Sequence, residues 1–404
     1  MTTAAAPATA TSSSTSSAAG ATAASARSSV SGRLDAVDWL RGFAVVLMIQ
    51  THLYDAWVSD AVKRESVAYG WTRFWGGVPA RLFLLLVGVS IAIRFESQIA
   101  KKADRGAMVR GVVKRGFEIF LLAYLFRLQE FTLSGFGGDL MNLFRIDILN
   151  CIGASMMAIA FIVAPIRGRP QIALALIAAA VVVALGPIIG PMHFPDFIPR
   201  PISSYFGGER PMAWFPLFPW AAWPLVGVAI GHIWVRQARI SKRREALVFI
   251  LSGIVGVALI YGVTLVRRIN PYIIHYPSDV AQQMGPGAFL YRLGMIGPMA
   301  TAGWLICRVL GDRFSIMRQL GRTSLLVYWI HVDLCYGSVS GRLHGRLNMA
   351  WATVGFVAMT GLMLAVSIYK TRSSGVWKRR LAALRSQRPT TPSTPTAPTA
   401  PTSA

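Results

Sequence analysis

Charge is scarce in this 404-residue sequence: 14% of its residues are charged, where a soluble domain carries about 25%. An ordinary soluble enzyme is excluded. Cysteine is almost absent, and Cys151, Cys307 and Cys335 each sit inside an apolar run, so no disulfide framework is expected. No Cys/His cluster has metal-ligand spacing, and metal catalysis has no support. Residues 1 to 32 are nearly all Ala, Ser, Thr and Gly, with Arg27 the only charge, and lack the continuous apolar core of a signal peptide. They read as a disordered tail. Residues 371 to 404 read as a second tail, basic and then rich in Pro and Thr from 389 onward.

What remains, residues 33 to 370, is apolar: 54% of the whole chain is hydrophobic and its mean hydropathy is +0.49. Ten runs are long enough to cross roughly 30 Å of hydrocarbon at about 1.5 Å per residue. They lie near 36–57, 75–97, 112–131, 145–166, 171–191, 214–235, 246–267, 287–309, 321–340 and 349–369. The fold class expected is all-α, a polytopic membrane bundle of about ten transmembrane helices. The fifth run is the least polar and is expected to face lipid.

The 41 Lys+Arg outnumber the 17 Asp+Glu to give +24. In a soluble chain this would suggest nucleic acid, but in a membrane chain basic loops first report orientation. With the N-terminus inside, the cytoplasmic segments hold 26 Lys+Arg and the opposite segments 12. Both termini are therefore expected in the cytoplasm, the bilayer is the expected partner surface, and no nucleic acid is expected.

An ionisable side chain inside a membrane costs at least about 2.5 kcal/mol, so each needs a partner or a purpose. The first run, LDAVDWLRGFAVVLMIQTHLYDAWV, holds Asp35, Asp38, Arg41, His52 and Asp55. Asp38 and Arg41 share a helical face near its start, where a helix-start ion pair would be equally natural. His52 and Asp55 repeat the i, i+3 spacing about 16 Å further along the axis. A carboxylate one turn from an imidazole can take a hydrogen bond from one ring nitrogen and raise the basicity of the other, as a general base requires. A structural histidine bonded to a neighbouring helix fits the spacing equally well.

Arg81 in the second run lies at a depth like that of His52 and could bind an oxyanion or pair with Asp55. FRIDILNCIG places Arg145, Asp147 and Asn150 at the start of the fourth run, and Pro216, Pro219 and Trp220 open the sixth. Prolines there free backbone carbonyls, which is tolerated along a cavity. In the ninth run His331 and Asp333, two residues apart, should make separate contacts, with His331 able to line a substrate path. Gly294 to Pro298 reads as close helix packing.

The ordered segments LDAVDWLRGFAVVLMIQTHLYDAW, FLLLVGVSIAI, FRIDILNCIG, FPLFPW and LGRTSLLVYWIHVDLCYG resemble the heparan-alpha-glucosaminide N-acetyltransferase catalytic-domain family, over residues 33 to 340. The resemblance implies a transmembrane acyltransferase of the bacterial inner-membrane type. Its donor would be acetyl-CoA or another acyl-CoA, and its acceptor a hydroxyl or amine of a sugar or glycoconjugate. His52 matches the first-span histidine taken as catalytic in bacterial relatives, Asp38 and Arg41 the start of that motif, and Asp147 and His331 later polar positions. In the animal lysosomal branch the catalytic histidine lies in the loop after the first span. Residues 59 to 73 contain none, which favours direct activation of the acceptor by a membrane histidine over an acetyl-histidine intermediate.

The expected mechanism has His52, oriented by Asp55, deprotonating the acceptor, with Arg81 or the Arg145/Asp147 pair positioning it or stabilising the oxyanion. Basic segments 101–115 and 236–244 are available to CoA phosphates. The alternative is a secondary transporter for a small anionic solute using Arg41, Arg81 and His52. Against it, the sequence shows no internal repeat and no matching pair of broken helices.

Overall fold

A computed structural model describes residues 34–133, 139–166, 168–207, 212–269 and 284–386, with side chains to residue 374. The expected tails at 1–32 and 389–404 lie outside the described residues. The fold is all-helical. Helix α1 is Asp35–Trp57; the short α2 (Asp60–Glu65) and α3 (Val67–Gly76) lead into α4 (Val78–Ala100), and α5 is Arg105–Leu133. After a 3-10 turn come α6 (Ile148–Ile162), α7 (Arg169–Ile189), α8 (Arg200–Ser203), α9 (Leu217–Trp220) and α10 (Ala222–Ile240). Then follow α11 (Lys242–Ile269), α12 (Pro286–Leu310), α13 (Ile316–Arg322), α14 (Ser324–Tyr336) and α15 (Met349–Ser386). Helical backbone thus continues past residue 370, into the segment whose composition suggests a second tail.

Each of the ten apolar runs falls on one or more of these helices, and among the described residues six helical stretches are long and apolar enough to cross a bilayer: Val67–Ala100, Arg169–Ile189, Leu217–Ile240, Lys242–Ile269, Pro286–Leu310 and Met349–Ser374. The other runs fall short for identifiable reasons. Helices α6 and α14, at 15 and 13 residues, reach only about 20 Å at 1.5 Å per residue. Helices α1 and α5 are long enough but carry several charges. As expected for the fifth run, α7 exposes Leu176, Ile177, Val181 and Ile188, while its small residues Ala175, Ala179 and Gly186 are buried.

Helix α1 is the centre of the bundle, touched by α4, α12, α13, α14 and α15. Of its charged residues Asp38 is buried among these neighbours, whereas Asp35 and Asp55 lie towards the helix ends and Asp55 is exposed. Glycine sets the close approaches. A Cβ on Gly42 would stand 1.8 Å from the Met317 carbonyl oxygen of α13, and one on Gly321 1.9 Å from that of Asp38. Between α4 and α10, a Cβ on Gly88 would stand 1.9 Å from the Pro224 carbonyl oxygen and one on Gly227 2.0 Å from that of Leu85. Gly294 packs on Gly256 of α11, as its spacing suggests.

One buried charge cluster closes the end of the bundle where α1 begins, called here the basic end. The Glu96 carboxylate accepts from Arg236 Nε at 2.7 Å and Arg239 Nη1 at 3.3 Å, and lies 2.8 Å from His232 Nδ1. Glu96 and His232 are buried, so desolvation is offset by three charge-assisted donors on one acid. The cluster ties α4 to α10.

Candidate active site

At the far end of α1 the helix turns His52 towards α14. The Tyr336 hydroxyl donates to Asp55 Oδ2 at 2.8 Å and lies 3.2 Å from His52 Nδ1. The i, i+3 spacing suggests a direct contact between the imidazole and Asp55; a phenol from the other end of the chain stands between them instead. One helical turn back along α14, His331 places its ring 5.4 Å from that of His52. His331 is fully buried. Its Nδ1 lies 2.6 Å from the Val327 carbonyl, which has no proton to give, so Nδ1–H is the donor. Nε2 is then a lone pair, buried and without a hydrogen bond among the described residues.

Asp333, two residues on, points elsewhere, as its spacing requires. It accepts from Gln129 Nε2, whose amide oxygen takes the Trp329 indole N–H at 2.8 Å. Beside Gln129 the buried Arg127 pairs with both Asp147 and Glu130, and Arg145 Nε stands 3.9 Å from Asp147. The backbone N–H of Asp147 donates to the Asn150 amide oxygen at 3.1 Å, capping α6. Asn150 in turn donates to the Tyr205 hydroxyl, which also bonds Tyr124 at 2.7 Å. Burial, and then the bond to Tyr124, push the Tyr205 phenol above its ordinary range.

A cavity of about 410 Å³ opens among α1, α4, α5, α6 and α14. Arg41, Arg94, Arg115 and Arg322 line it towards the basic end, and Met48, Phe83, Ile148, Ile152 and Tyr328 line it further in. Met48 is one turn before His52, and the Tyr328 ring is 6.0 Å from that of His331. The cavity thus runs from four guanidinium groups between apolar walls, and two of its lining residues, Met48 and Tyr328, stand on the helices that carry His52 and His331. Arg41 is held by Ser90 and by Asp38, the latter at 3.4 Å. The i, i+3 ion pair thus exists and also faces the cavity.

The structure brings together His52, Asp55 and His331 as one group, and Arg145 with Asp147 as another. Asp38 and Arg41 stand at the cavity's basic end. Arg81 joins none of these: its guanidinium donates to the Gly77 carbonyl and lies 5.2 Å over the Trp220 ring, with no bond to His52 or Asp55. Sequence reasoning passes over Tyr336, Arg127, Gln129 and the Glu96–His232 cluster.

The sequence profile described as "Heparan-alpha-glucosaminide N-acetyltransferase, catalytic" matches residues 33–265, more than half of the chain. The chain belongs to that family. It is a multi-pass membrane acyltransferase by that membership and by its long apolar helices. None of the curated proteins matches it. The matched residues include Asp38, Arg41, His52, Asp55, Arg81, Arg145 and Asp147. They end within α11, so His331 and Tyr336 lie beyond them.

Proposed function

We propose that this family member transfers an acetyl group from acetyl-CoA to a hydroxyl or amine of a saccharide, with His52 as general base. The observation that carries the reading is the arginine-lined cavity, whose lining includes Met48, one turn before His52, and Tyr328, whose ring is 6.0 Å from that of His331. Four guanidiniums at its mouth suit the phosphates of CoA. Its apolar walls suit the extended pantetheine arm, and Met48 and Tyr328 set those walls on the same helices as His52 and His331. The N-terminus of α14, at Thr323 and Ser324, lines the same cavity and adds a favourable dipole for an anion.

In this reading ten helices cross the bacterial inner membrane, both termini are cytoplasmic, and the basic end faces the donor pool. The excess of Lys and Arg in those segments supports the orientation. His52 Nε2 accepts the proton of the acceptor group as that group's oxygen or nitrogen attacks the thioester carbonyl; the C–S bond breaks, and the imidazolium returns the proton to the departing sulfur so that CoA leaves as the thiol. Asp55 reaches the imidazole through the Tyr336 hydroxyl, from which it accepts a hydrogen bond. The group of buried Arg127 with half-buried Arg145 and Asp147, with Trp329 and Gln129 beside it, offers the mixed polar and aromatic lining that a polyhydroxyl acceptor needs. Arg81 over Trp220 would hold an anionic part of the acceptor further out.

Calorimetric titration of the detergent-purified protein with CoA tests the donor assignment. Saturable binding that weakens with salt is expected. No binding at millimolar CoA would remove the donor site and favour transport of a small anion, for which Arg41, Arg81 and His52 would be the sites.

A further inference from the structure

We propose that Tyr336 is a positioning residue for His52: its hydroxyl couples the Asp55 carboxylate to the imidazole and holds the ring with Nδ1 protonated and Nε2 free. This rests on the reading of His52 as base. The argument is one of proton count. A phenol has a single proton, and that of Tyr336 goes to Asp55 Oδ2 at 2.8 Å. Its oxygen can then only accept from His52, 3.2 Å away at Nδ1. The ring nitrogen left as a lone pair is Nε2, and the carboxylate's negative charge is relayed to the imidazole through one O–H.

The backbone around Tyr336 is built to hold that hydroxyl still. The carbonyl of Cys335, the residue before it, accepts from Trp57 Nε1 at 3.1 Å, Ser340 Oγ at 3.1 Å and His344 Nε2 at 2.9 Å. Trp57 ends α1, so its bond fastens the C-terminus of α14 to the helix that carries His52 and Asp55, while Ser340 and His344 tie the same carbonyl to the segment that follows. Gly337 then ends α14, where a Cβ would stand 2.3 Å from the Asp333 carbonyl. The phenol ring also meets the imidazole edge to face, with centres 5.5 Å apart. Three donors on one carbonyl exceed what ending a helix requires, and they act at the residue adjoining the relay.

The test is nitrogen NMR of the full-length protein labelled with 15N-histidine, with the His52 signals assigned by their loss in His52→Gln. The wild type should show His52 mainly as the Nδ1–H tautomer, and Tyr336→Phe, which keeps the ring, should shift the main population to Nε2–H. Asp55→Asn, an independent variant should Tyr336→Phe fold poorly, should reduce the same preference. A His52 tautomer that is Nε2–H in the wild type, or unchanged in Tyr336→Phe, would overturn the proposal. Activity of His52→Ala is read separately: retained turnover would end the role of His52 as base whatever tautomer the spectra report.

Discussion

The imidazoles of His52 and His331, on the first and the penultimate long helices, stand with ring centres 5.4 Å apart. Neither ring contacts a carboxylate directly among the described residues. His331 gives its Nδ1 proton to the Val327 carbonyl, and His52 meets Tyr336, which bonds Asp55. The result is two adjacent rings on helices that also line the cavity edged by arginines. A neutral imidazole with a fixed tautomer is the state in which a histidine can take up a proton.

If the four arginines bind phosphate, removing one should weaken CoA without unfolding the protein. Arg94 is exposed and lines the cavity. A charged hydrogen bond contributes about 1.5–3 kcal/mol, and exposure favours the lower figure. Arg94→Ala should therefore raise the Kd for CoA about tenfold, read by titration calorimetry, with a shallower dependence on salt. An unchanged Kd would move the phosphates elsewhere.

The contact between α4 and α10 makes a stability prediction whose sign depends on two opposed effects. Replacing a helical glycine by alanine usually gains about 0.4–1 kcal/mol. At Gly88 the new Cβ would stand 1.9 Å from the Pro224 carbonyl oxygen, and overpacking costs about 1–3 kcal/mol. The clash wins, so Gly88→Ala should lower the thermal midpoint in detergent. Gly361, with nothing near its Cβ position, is the control, and Gly361→Ala should leave the midpoint unchanged or raise it.

Glu96 is the shared acceptor of Arg236, Arg239 and His232. Glu96→Ala leaves a buried imidazole and two partly exposed guanidiniums without their acid. Breaking a fully buried pair costs about 3–5 kcal/mol; the arginines, about one-third exposed, regain water, so about 2–3 kcal/mol is expected here. Glu96→Gln, which keeps an acceptor, should lose less. Equal thermal midpoints for both variants and the wild type would show that the cluster adds nothing to stability.

Much of this arrangement is legible in the amino-acid sequence. Periodic apolar length places the helices, and the density of charge in the first run marks α1, because ionisable groups in an apolar segment need neighbours to enclose them. The spacing of His331 and Asp333 correctly separates their contacts. Tyr336 is not legible as a partner of His52 because a lone tyrosine near a helix end reads as an interface anchor, and nothing local connects it to a residue at the start of the chain. The same holds for Arg127 with Asp147 and for Glu96 with His232: each residue looks solitary until the helices are packed. Arg81 shows the converse failure. Equal depth suggests a shared cavity with His52, but depth leaves rotation about the helix axis open, and the guanidinium turns to Trp220.

The central claim is that His52 is the base of an acyl transfer, and the most direct measurement is release of CoA thiol from acetyl-CoA by the purified protein with a panel of amino sugars and neutral sugars. Release by the wild type that depends on an acceptor, and a loss of about 10²-fold or more in kcat for His52→Ala with CoA binding and thermal midpoint preserved, is the predicted result. Turnover by a folded His52→Ala protein equal to that of the wild type would contradict the account.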